Sequence, residues 1–333
     1  MDEKKKVSVV MCTYNGEKYI REQIDSILTQ TYPIYELIIQ DDGSTDGTVE
    51  IIKEYQHADK RIKLFCNEIS LGINANFFSA MRKAKSEYIA ISDQDDIWES
   101  DKIAIQVESI GDKLLCTGRS VPFVEGYGKL VYDWRYPNHN LIRLLYASIP
   151  GHTMLIRRSI LDLIPQEHEF YKYTLYDVIL SITAASYNSL VFVDKKIVNH
   201  RRHLSAATYQ TKDKHRDRSI LNAFYLLYWS IMHYQKARPL QRNHFRVRHS
   251  FLMELNSHEE IFLDALQMTE CLASSGLISK LKLMRIYLKY RHVLFFTYEK
   301  DPIAIVRAIL YPIMLIYNYR PVLDKQREQC KNK

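Results

Sequence analysis

Cysteine is sparse in this chain, and its cysteines show no pairing pattern. The five cysteines among 333 residues have no Cys-x-x-Cys spacing, and they are Cys12, Cys66, Cys116, Cys271 and Cys330. An extracellular disulfide framework would need an even and regularly spaced set. We therefore expect free thiols in a reducing compartment.

Long apolar runs are missing as well. No stretch offers 18 or more uninterrupted apolar residues, so we expect no membrane-spanning helix. The start of the chain has a short apolar run, Val7–Met11, but not the long apolar region of a signal peptide. Internal repeats and low-complexity tracts are also missing. With 47% hydrophobic residues, the chain is long enough for about two globular domains.

Charge is distributed unevenly along the chain. Residues 1–194 contain 21 Lys and Arg against 28 Asp and Glu, a net charge of −7, whereas residues 195–333 contain 25 against 11, a net charge of +14. This asymmetry predicts two regions with different partners. A basic region attracts nucleic acid, anionic lipid headgroups or phosphorylated substrates, although an ordinary solvated basic surface has the same composition.

The first two hundred residues alternate between strand-like and helix-like periodicity. Strand-like runs occur at residues 7–11, 35–40, 61–66 and 87–92, and helix-like runs lie between them at 17–30, 49–55 and 75–85. This alternation predicts an α/β fold with a mostly parallel sheet and helices on both faces. Later segments predict a strand turning into a helix at 151–161, a helix at 173–186 and a strand at 190–194.

Residues 206–333 have a different pattern. They show amphipathic helical stretches rich in Tyr, Leu, Lys and Arg, with no strand signal. We therefore place a domain boundary near residue 205. Such helices either pack on the first domain or form an interfacial surface for anionic headgroups. No nucleic-acid-binding motif is recognisable.

Three polar loops each follow a strand of the predicted sheet. They read "CTYNG", "DDGSTDG" and "SDQDD", and ligands of parallel sheets gather at the carboxyl ends of the strands. Asp93, Asp95 and Asp96 supply the hard oxygen ligands that Mg²⁺ or Mn²⁺ prefers. A solvated turn would have the same residues, and "DDGSTDG" also fits a turn that caps the next helix. Both roles are compatible, because Asp41 lies at the strand tip, apart from the capping residues, and could accept hydrogen bonds from a nucleotide base.

The stretches "VVMCTYNGEKYIREQIDSILTQTYPIYELIIQDDGSTDGT", "LGINANF" and "EYIAISDQDDIWESDKI" together resemble the family 2 glycosyltransferases. The resemblance covers roughly residues 6–205 and is strongest to the bacterial rhamnosyltransferase-like branch with an SDQDDIW motif. It implies the GT-A fold, a nucleotide-diphosphate sugar donor, a divalent metal, Mg²⁺ or Mn²⁺, and inversion at the anomeric carbon. It also implies a glycan or lipid-diphosphate-linked glycan acceptor, as in bacterial capsule or O-antigen synthesis.

The resemblance also implies roles for individual residues. The family's general base corresponds to Asp177, although the His before and the Trp after that residue are missing here. Metal ligands would come from Asp95, Asp96 and His203, with the choice between the two aspartates open. The residues that would bind the nucleotide and donor are Cys12, Thr13, Tyr14, Asn15, Asp41, Asp42, Asn76, Asp93 and Arg201.

Two other functions remain as alternatives. A nucleotidyltransferase would also use aspartates and Mg²⁺, but it usually has a Gly-rich G-x-G-T-R-like loop after its first strand, and "CTYNG" is different. An inactive glycan- or nucleotide-binding protein would keep "SDQDD" as a turn only. Processive polysaccharide synthases of the family carry a Q-x-x-R-W motif, and none of the three tryptophans here is preceded by Q-x-x-R. We therefore expect a cytoplasmic single-sugar transferase, peripheral at the inner face of the membrane.

Overall fold

The computed structural model describes residues 5–124, 132–203, 220–294 and 300–331. The chain divides into two compact units, which we call the sheet unit and the helical unit. The sheet unit comprises residues 1–139 and 144–209, and the helical unit comprises residues 140–143 and 210–333. The predicted boundary at residue 205 lies outside the described residues, so that boundary stays a prediction.

One sheet of eight strands lies at the centre of the sheet unit, in the spatial order β3-β2-β1-β4-β7-β6-β8-β5. The strands are β1 Val7–Thr13, β2 Glu36–Asp41, β3 Ile62–Cys66, β4 Tyr88–Ser92, β5 Ile97–Trp98, β6 Leu115–Phe123, β7 Leu155–Arg157 and β8 Leu190–Arg201. Strands β1 to β4 are parallel to one another. Strand β7 is antiparallel to both β4 and β6, whereas β6 and β8 are parallel.

Helices cover both faces of this sheet. The chain has α1 Ile20–Leu28, α2 Thr48–Ala58, α3 Ile73–Lys83, α4 Lys102–Ser109, α5 Leu141–Leu144, α6 Ile160–Leu163 and α7 Tyr176–Ser186. Alternate residues of β1, such as Val9, pack with Ile24 of α1 and Ile103 of α4 in one buried core. On the other face α3 packs against β1 and β2. This arrangement confirms the predicted α/β fold.

The structure confirms most predicted elements of the sheet unit and adds two strands. Strands β1 to β4, helices α1 to α3 and helix α7 lie where the periodicity predicts them. The strand β6 escaped prediction because Gly118, Arg119 and Ser120 interrupt its apolar residues, and its last four residues, 120–123, are only partly buried. The two-residue strand β5 was also missed, since such a short segment has no periodicity to detect.

The described part of the helical unit contains helices joined by short loops and has no strand. It contains α8 Ile220–Glu254, α9 Glu260–Ala273, α10 Leu277–Lys289, α11 Arg291–Leu294, α12 Asp301–Met314 and α13 Arg320–Lys331. Helix α8 packs on α9 and α12, and α10 packs on α9 and α12.

The expectation that no segment could span a membrane needs correction. The continuous helical segment Asp301–Lys325 is long and apolar enough to cross a bilayer by length and composition alone. Its polar interruptions had hidden it from a search for uninterrupted apolar residues. The core helix of a soluble protein passes the same test, so this segment carries no conclusion about topology by itself.

Candidate active site

The three polar loops converge at one edge of the sheet, as their positions after parallel strands predict. The backbone N–H of Tyr14 donates to Gln94 Oε1 over 2.9 Å, and Gln94 Nε2 donates back to the Tyr14 carbonyl over 3.0 Å. The N–H of Asn15 donates to Ser44 Oγ over 2.8 Å. A Cβ added at Gly16 would lie 2.3 Å from Gln94 Oε1, so a larger residue there would displace the Gln94 side chain that links these loops.

Asp41 and Asp42 hold the second loop in shape. The buried Asp41 carboxylate accepts hydrogen bonds from Thr13 Oγ1 over 2.7 Å and from the Ser44 N–H over 2.8 Å. Asp42 accepts from the N–H groups of Leu71 and Gly72, over 2.7 and 2.9 Å. These contacts outweigh the effect of burial and lower the pKa of Asp42. Both carboxylates therefore stabilise the conformation of this loop, and their role in donor binding stays a prediction.

The other residues predicted at the nucleotide lie along the same edge. Cys12 and Thr13 end β1, and burial raises the pKa of the Cys12 thiol. Asn76 is buried at the start of α3, where its Nδ2 donates to the Gln40 carbonyl over 3.1 Å. In contrast, Tyr14 is 57% exposed and offers an open aromatic face.

Asp93 and Asp96 form a cluster with a histidine that the sequence analysis missed. His152 Nδ1 lies 3.0 Å from Asp93 Oδ2 and 3.3 Å from Asp96 Oδ2. One ligand atom from each of the three residues lies within 4.8 Å of the others. The other ring nitrogen, His152 Nε2, lies 2.8 Å from Ser120 Oγ, which fixes the orientation of the imidazole.

The fold explains why His152 arrives at this place. His152 lies on the 3₁₀ turn Gly151–Thr153, directly before β7, and β7 runs antiparallel to β4. The start of β7 therefore meets the end of β4, where Asp93 follows. Only the reverse direction of β7 brings the two together, and the sequence pattern carries no sign of that direction.

Asp95 makes a separate contact with the end of β8. His203 Nε2 lies 2.8 Å from Asp95 Oδ2. The pairing of β5 with β8 brings these residues together, although they are 108 positions apart. The structure thus joins Asp95 with His203 and Asp96 with Asp93 and His152, whereas the resemblance had grouped Asp95, Asp96 and His203 as ligands.

Arg201 supports the acidic loop through hydrogen bonds to Asp95 and Asp96. Its N–H donates to Asp96 Oδ1 over 3.0 Å, and its Nε donates to the Asp95 carbonyl over 3.0 Å. The guanidinium also pairs with Glu22 over 2.6 Å and lies 4.6 Å from the ring centre of Tyr19. Arg201 is 2% exposed, so these contacts assign it a positioning role, and its contact with a donor stays a prediction.

The electrostatics of the cluster reflect its burial. Burial raises the pKa of Asp96, and repulsion from Asp93 and Asp95 adds to this effect. Burial alone would lower the pKa of His152, but attraction to Asp96 and Asp93 outweighs it and raises that pKa. Such a site favours a positive charge between the carboxylates.

Asp177 lies in the first turn of α7, as the sequence predicts. Its Oδ1 accepts a hydrogen bond from the Val178 N–H over 2.8 Å. Burial raises the pKa of Asp177 to about 6, and repulsion from Asp93 contributes. Asp177 is therefore close enough to the acidic cluster for the charges to interact, and it is a stronger base than an ordinary aspartate.

The cluster of Asp93, Asp96 and His152 fits a divalent cation. Asp96 Oδ2 is buried and makes no hydrogen bond to any described residue. Two carboxylates and an imidazole form a donor set suited to a first-row divalent ion, and the carboxylates also suit Mg²⁺. The structure therefore has a candidate metal centre that includes the SDQDD loop and shares only Asp96 with the predicted ligand set.

The fold with this site is that of the GT-A glycosyltransferases. The structure of Staphylococcus aureus TarS, residues 1–349, in complex with UDP-GlcNAc matches with a TM-score of 0.56. That match covers 95% of this chain and 91% of the TarS 1–349 fragment at 17% sequence identity. At this identity the likeness establishes the fold alone.

Sequence comparisons support a family 2 glycosyltransferase. The family described as Glycosyl transferase family 2 matches residues 8–164. TuaG of Bacillus subtilis (strain 168), a glycosyltransferase ascribed to teichuronic acid biosynthesis, is 39% identical over 102 residues. The Escherichia coli UDP-Glc:alpha-D-GlcNAc-diphosphoundecaprenol beta-1,3-glucosyltransferase WfgD is 40% identical over 101 residues.

These matches are confined to part of each protein. They cover 31% and 30% of this chain, and 40% and 39% of TuaG and WfgD respectively. The chain thus spans less than half of the length of these curated relatives. Asp93, Asp96 and His152 lie inside the family match, whereas Asp177, Arg201 and His203 lie outside it.

Proposed function

We propose that this protein is an inverting, metal-dependent glycosyltransferase that moves one sugar from a nucleotide-diphosphate donor to a hydroxyl group of an acceptor. One observation carries the proposal. A buried carboxylate with a raised pKa, Asp177, interacts electrostatically with Asp93 of an acidic cluster at the carboxyl edge of a GT-A sheet. That arrangement supplies a base and a candidate cation-binding site in one region of the sheet unit.

Asp177 would take the proton from the acceptor hydroxyl as its oxygen attacks the sugar. With a pKa of about 6, the carboxylate is mostly ionised at neutral pH and still accepts a proton more readily than an exposed aspartate. The Val178 N–H holds Oδ1, so the carboxylate keeps one orientation. Attack from the side opposite the leaving diphosphate would invert the anomeric carbon.

Asp93, Asp96 and His152 would hold the Mg²⁺ or Mn²⁺, with Asp95 and His203 as neighbouring candidates from the resemblance. When bound, the ion supplies positive charge for the diphosphate leaving group. Ser120 and Arg201 would keep the cluster in place through His152 and Asp96.

The donor base would bind along the first two loops. Tyr14 offers its exposed ring for stacking, and the neighbouring residues Cys12, Thr13, Asn15 and Asp41 would shape the pocket. Asp42 and Asn76 would support this pocket through their contacts with residues 67–72 and β2. The motif SDQDDIW favours the rhamnosyltransferase-like branch of the family.

We propose that the acceptor is a glycan or a lipid-diphosphate-linked glycan of a bacterial surface polysaccharide. The names of TuaG and WfgD, which refer to teichuronic acid biosynthesis and to a diphosphoundecaprenol-linked sugar, support this proposal. A lipid-linked acceptor suits a cytoplasmic enzyme at the inner face of the membrane. The basic residues 195–333 would then meet anionic headgroups rather than nucleic acid.

The test is release of nucleoside diphosphate by the full chain. UDP-, GDP- and dTDP-sugars are incubated with Mg²⁺, with Mn²⁺ or with a chelator. We expect metal-dependent release from one donor, its loss in Asp96→Asn, and donor binding without turnover in Asp177→Asn. The variant Asp162→Asn, on the exposed side of α6, serves as a matched control.

Two outcomes would contradict the proposal. Release of pyrophosphate, or exchange of a sugar phosphate into a nucleotide, would identify a nucleotidyltransferase. Unchanged turnover in both Asp96→Asn and Asp177→Asn would show that these carboxylates have other roles. If the protein binds a donor but transfers no sugar from any donor to extracted bacterial glycolipids, the inactive binding protein would be favoured.

A further inference from the structure

The helical unit contains a cavity of about 550 Å³ among helices α8, α9, α10 and α12. This volume lies within the range of small-molecule pockets, about 300–1,000 Å³. Most of the cavity wall is hydrocarbon, from Ile231, Leu272, Leu283, Met284, Ile309 and Ile313. The function proposed for the sheet unit makes no use of this cavity.

The hydrocarbon wall is interrupted by a small polar group of residues. Arg238 and Gln241, three residues apart on α8, line the cavity together with Lys280 of α10. Arg238 Nη1 donates to Gln241 Oε1 over 2.5 Å, and its Nη2 donates to the Ser274 carbonyl over 2.7 Å. These two bonds hold a guanidinium charge at the cavity, and Lys280 adds a second cation.

Gln241 offers a donor that has no partner among the described residues. Its side chain is 1% exposed, and its Nε2 makes no hydrogen bond to any described residue. Because Arg238 can only donate, it determines which end of the amide is the oxygen, and the free end is therefore the N–H₂ group. Gln241 lines the cavity, and its buried amide donor without an acceptor is unfavourable, so an acceptor oxygen of a bound ligand would relieve that cost.

These features together describe the chemistry of the ligand. Two cations and the amide of Gln241 favour anionic oxygens, and the hydrocarbon wall favours an apolar chain attached to them. The apolar side chains continue to the surface, where Ile231 is 56% exposed and Ile309 is 45% exposed. A longer chain can therefore leave the cavity without crossing a polar surface.

We propose that this cavity binds the single hydrocarbon chain of a long-chain phosphate or diphosphate ester, with the phosphate oxygens at Gln241, Arg238 and Lys280. That this lipid is the carrier of the acceptor glycan rests on the function proposed above. The binding itself depends only on the helical unit.

The experiment measures direct binding of farnesyl diphosphate to the full chain by isothermal titration calorimetry, without any donor sugar. We expect Gln241→Leu to weaken binding about tenfold or more, since hydrogen bonds to charged groups have that effect. Ile313→Trp fills the cavity and should weaken binding at least as much. Its matched control is Ile303→Trp, which changes an exposed residue on the same helix outside the cavity.

The charge requirement is tested on the surface of α10, where substitutions leave the fold intact. Lys280→Glu should weaken binding of farnesyl diphosphate, whereas Lys282→Glu, an exposed residue outside the cavity, should not. Farnesol and inorganic pyrophosphate, which each supply half of the ligand, should both bind far more weakly. Melting temperatures of all variants identify any that fail to fold.

Three results would overturn the proposal. The first is equal binding of farnesyl diphosphate by the parent, Ile313→Trp and Lys280→Glu. The second is binding of pyrophosphate or farnesol as tight as that of farnesyl diphosphate. The third is full competition by phosphatidylglycerol vesicles, which would indicate a two-chain membrane lipid. Failure of the catalytic proposal can be distinguished from failure of this one, because Asp177→Asn should lose sugar transfer and still bind farnesyl diphosphate like the parent.

Discussion

Replacing Asp177 by Asn should stabilise the fold while removing activity. The pKa of Asp177 rises from 3.8 to about 6 in the folded protein, mainly through burial. The folded state therefore holds a proton more tightly than the unfolded state, and its stability decreases as pH rises from about 4 to about 6. At neutral pH the ionised carboxylate destabilises the fold by up to about 3 kcal/mol. Asn has no charge to bury and keeps the acceptor for the Val178 N–H.

The assay compares thermal unfolding of parent and Asp177→Asn in a chelator at several pH values. We expect the variant to melt higher at pH 7, by about 2–4 °C for each kcal/mol, and the difference to vanish near pH 4. Sugar transfer should fall by about 10²–10⁴-fold, as for loss of a general base, and the acid limb of the parent's pH profile should lie near 6. Equal stability at pH 7, or destabilisation there, would refute the buried-charge reasoning. The exposed Asp162→Asn should change neither measurement.

Three further predictions concern the architecture of the site. His152→Ala should weaken Mn²⁺ binding, measured by electron paramagnetic resonance, by more than tenfold and by more than His203→Ala does, because His152 belongs to the cluster. A larger effect of His203→Ala would favour the ligand set implied by the resemblance. Gly151→Ala should lower stability by about 1–3 kcal/mol in chemical unfolding and reduce activity, because its Cβ would lie 2.1 Å from the Oη of buried Tyr176; an unchanged midpoint would contradict this. Asp42→Ala should unfold at a lower denaturant concentration than the parent at pH 7, and this difference in midpoint should shrink as pH falls through the lowered pKa of Asp42. A difference in midpoint that does not change with pH would show that the charge of Asp42 is unimportant.

Local periodicity was sufficient to predict the parallel half of the sheet. Strands β1, β2 and β4 are continuous buried runs bounded by turn-forming residues, and the helices between them have clear apolar faces. Because parallel strands end at the same edge, the convergence of the three polar loops followed from the position of each loop directly after a strand. The link between Tyr14 and Gln94 is a direct expression of that convergence.

The antiparallel half could not be predicted in the same way. Which way β7 runs, and which strand it joins, depends on pairings with β4 and β6 that no local pattern encodes. His152 was missed for this reason, because a single histidine in a loop has no distinguishing signal. The position of His203 beside Asp95 similarly depends on β5 pairing with β8. Only the family resemblance had pointed to His203.

The two kinds of carboxylate in this site differ in their partners, and this difference separates their roles. Asp93 and Asp96 lie beside His152, and Asp95 lies beside His203, so each aspartate of the motif already has an imidazole near it. These groups are arranged to share a positive charge, and a divalent cation would fit that arrangement. Among the described residues, the Asp177 carboxylate accepts hydrogen bonds from backbone amides alone. A carboxylate that is buried, raised in pKa and without a cation of its own remains available to take a proton. The same lack of a cation is what makes Asp177 unfavourable for the fold at neutral pH.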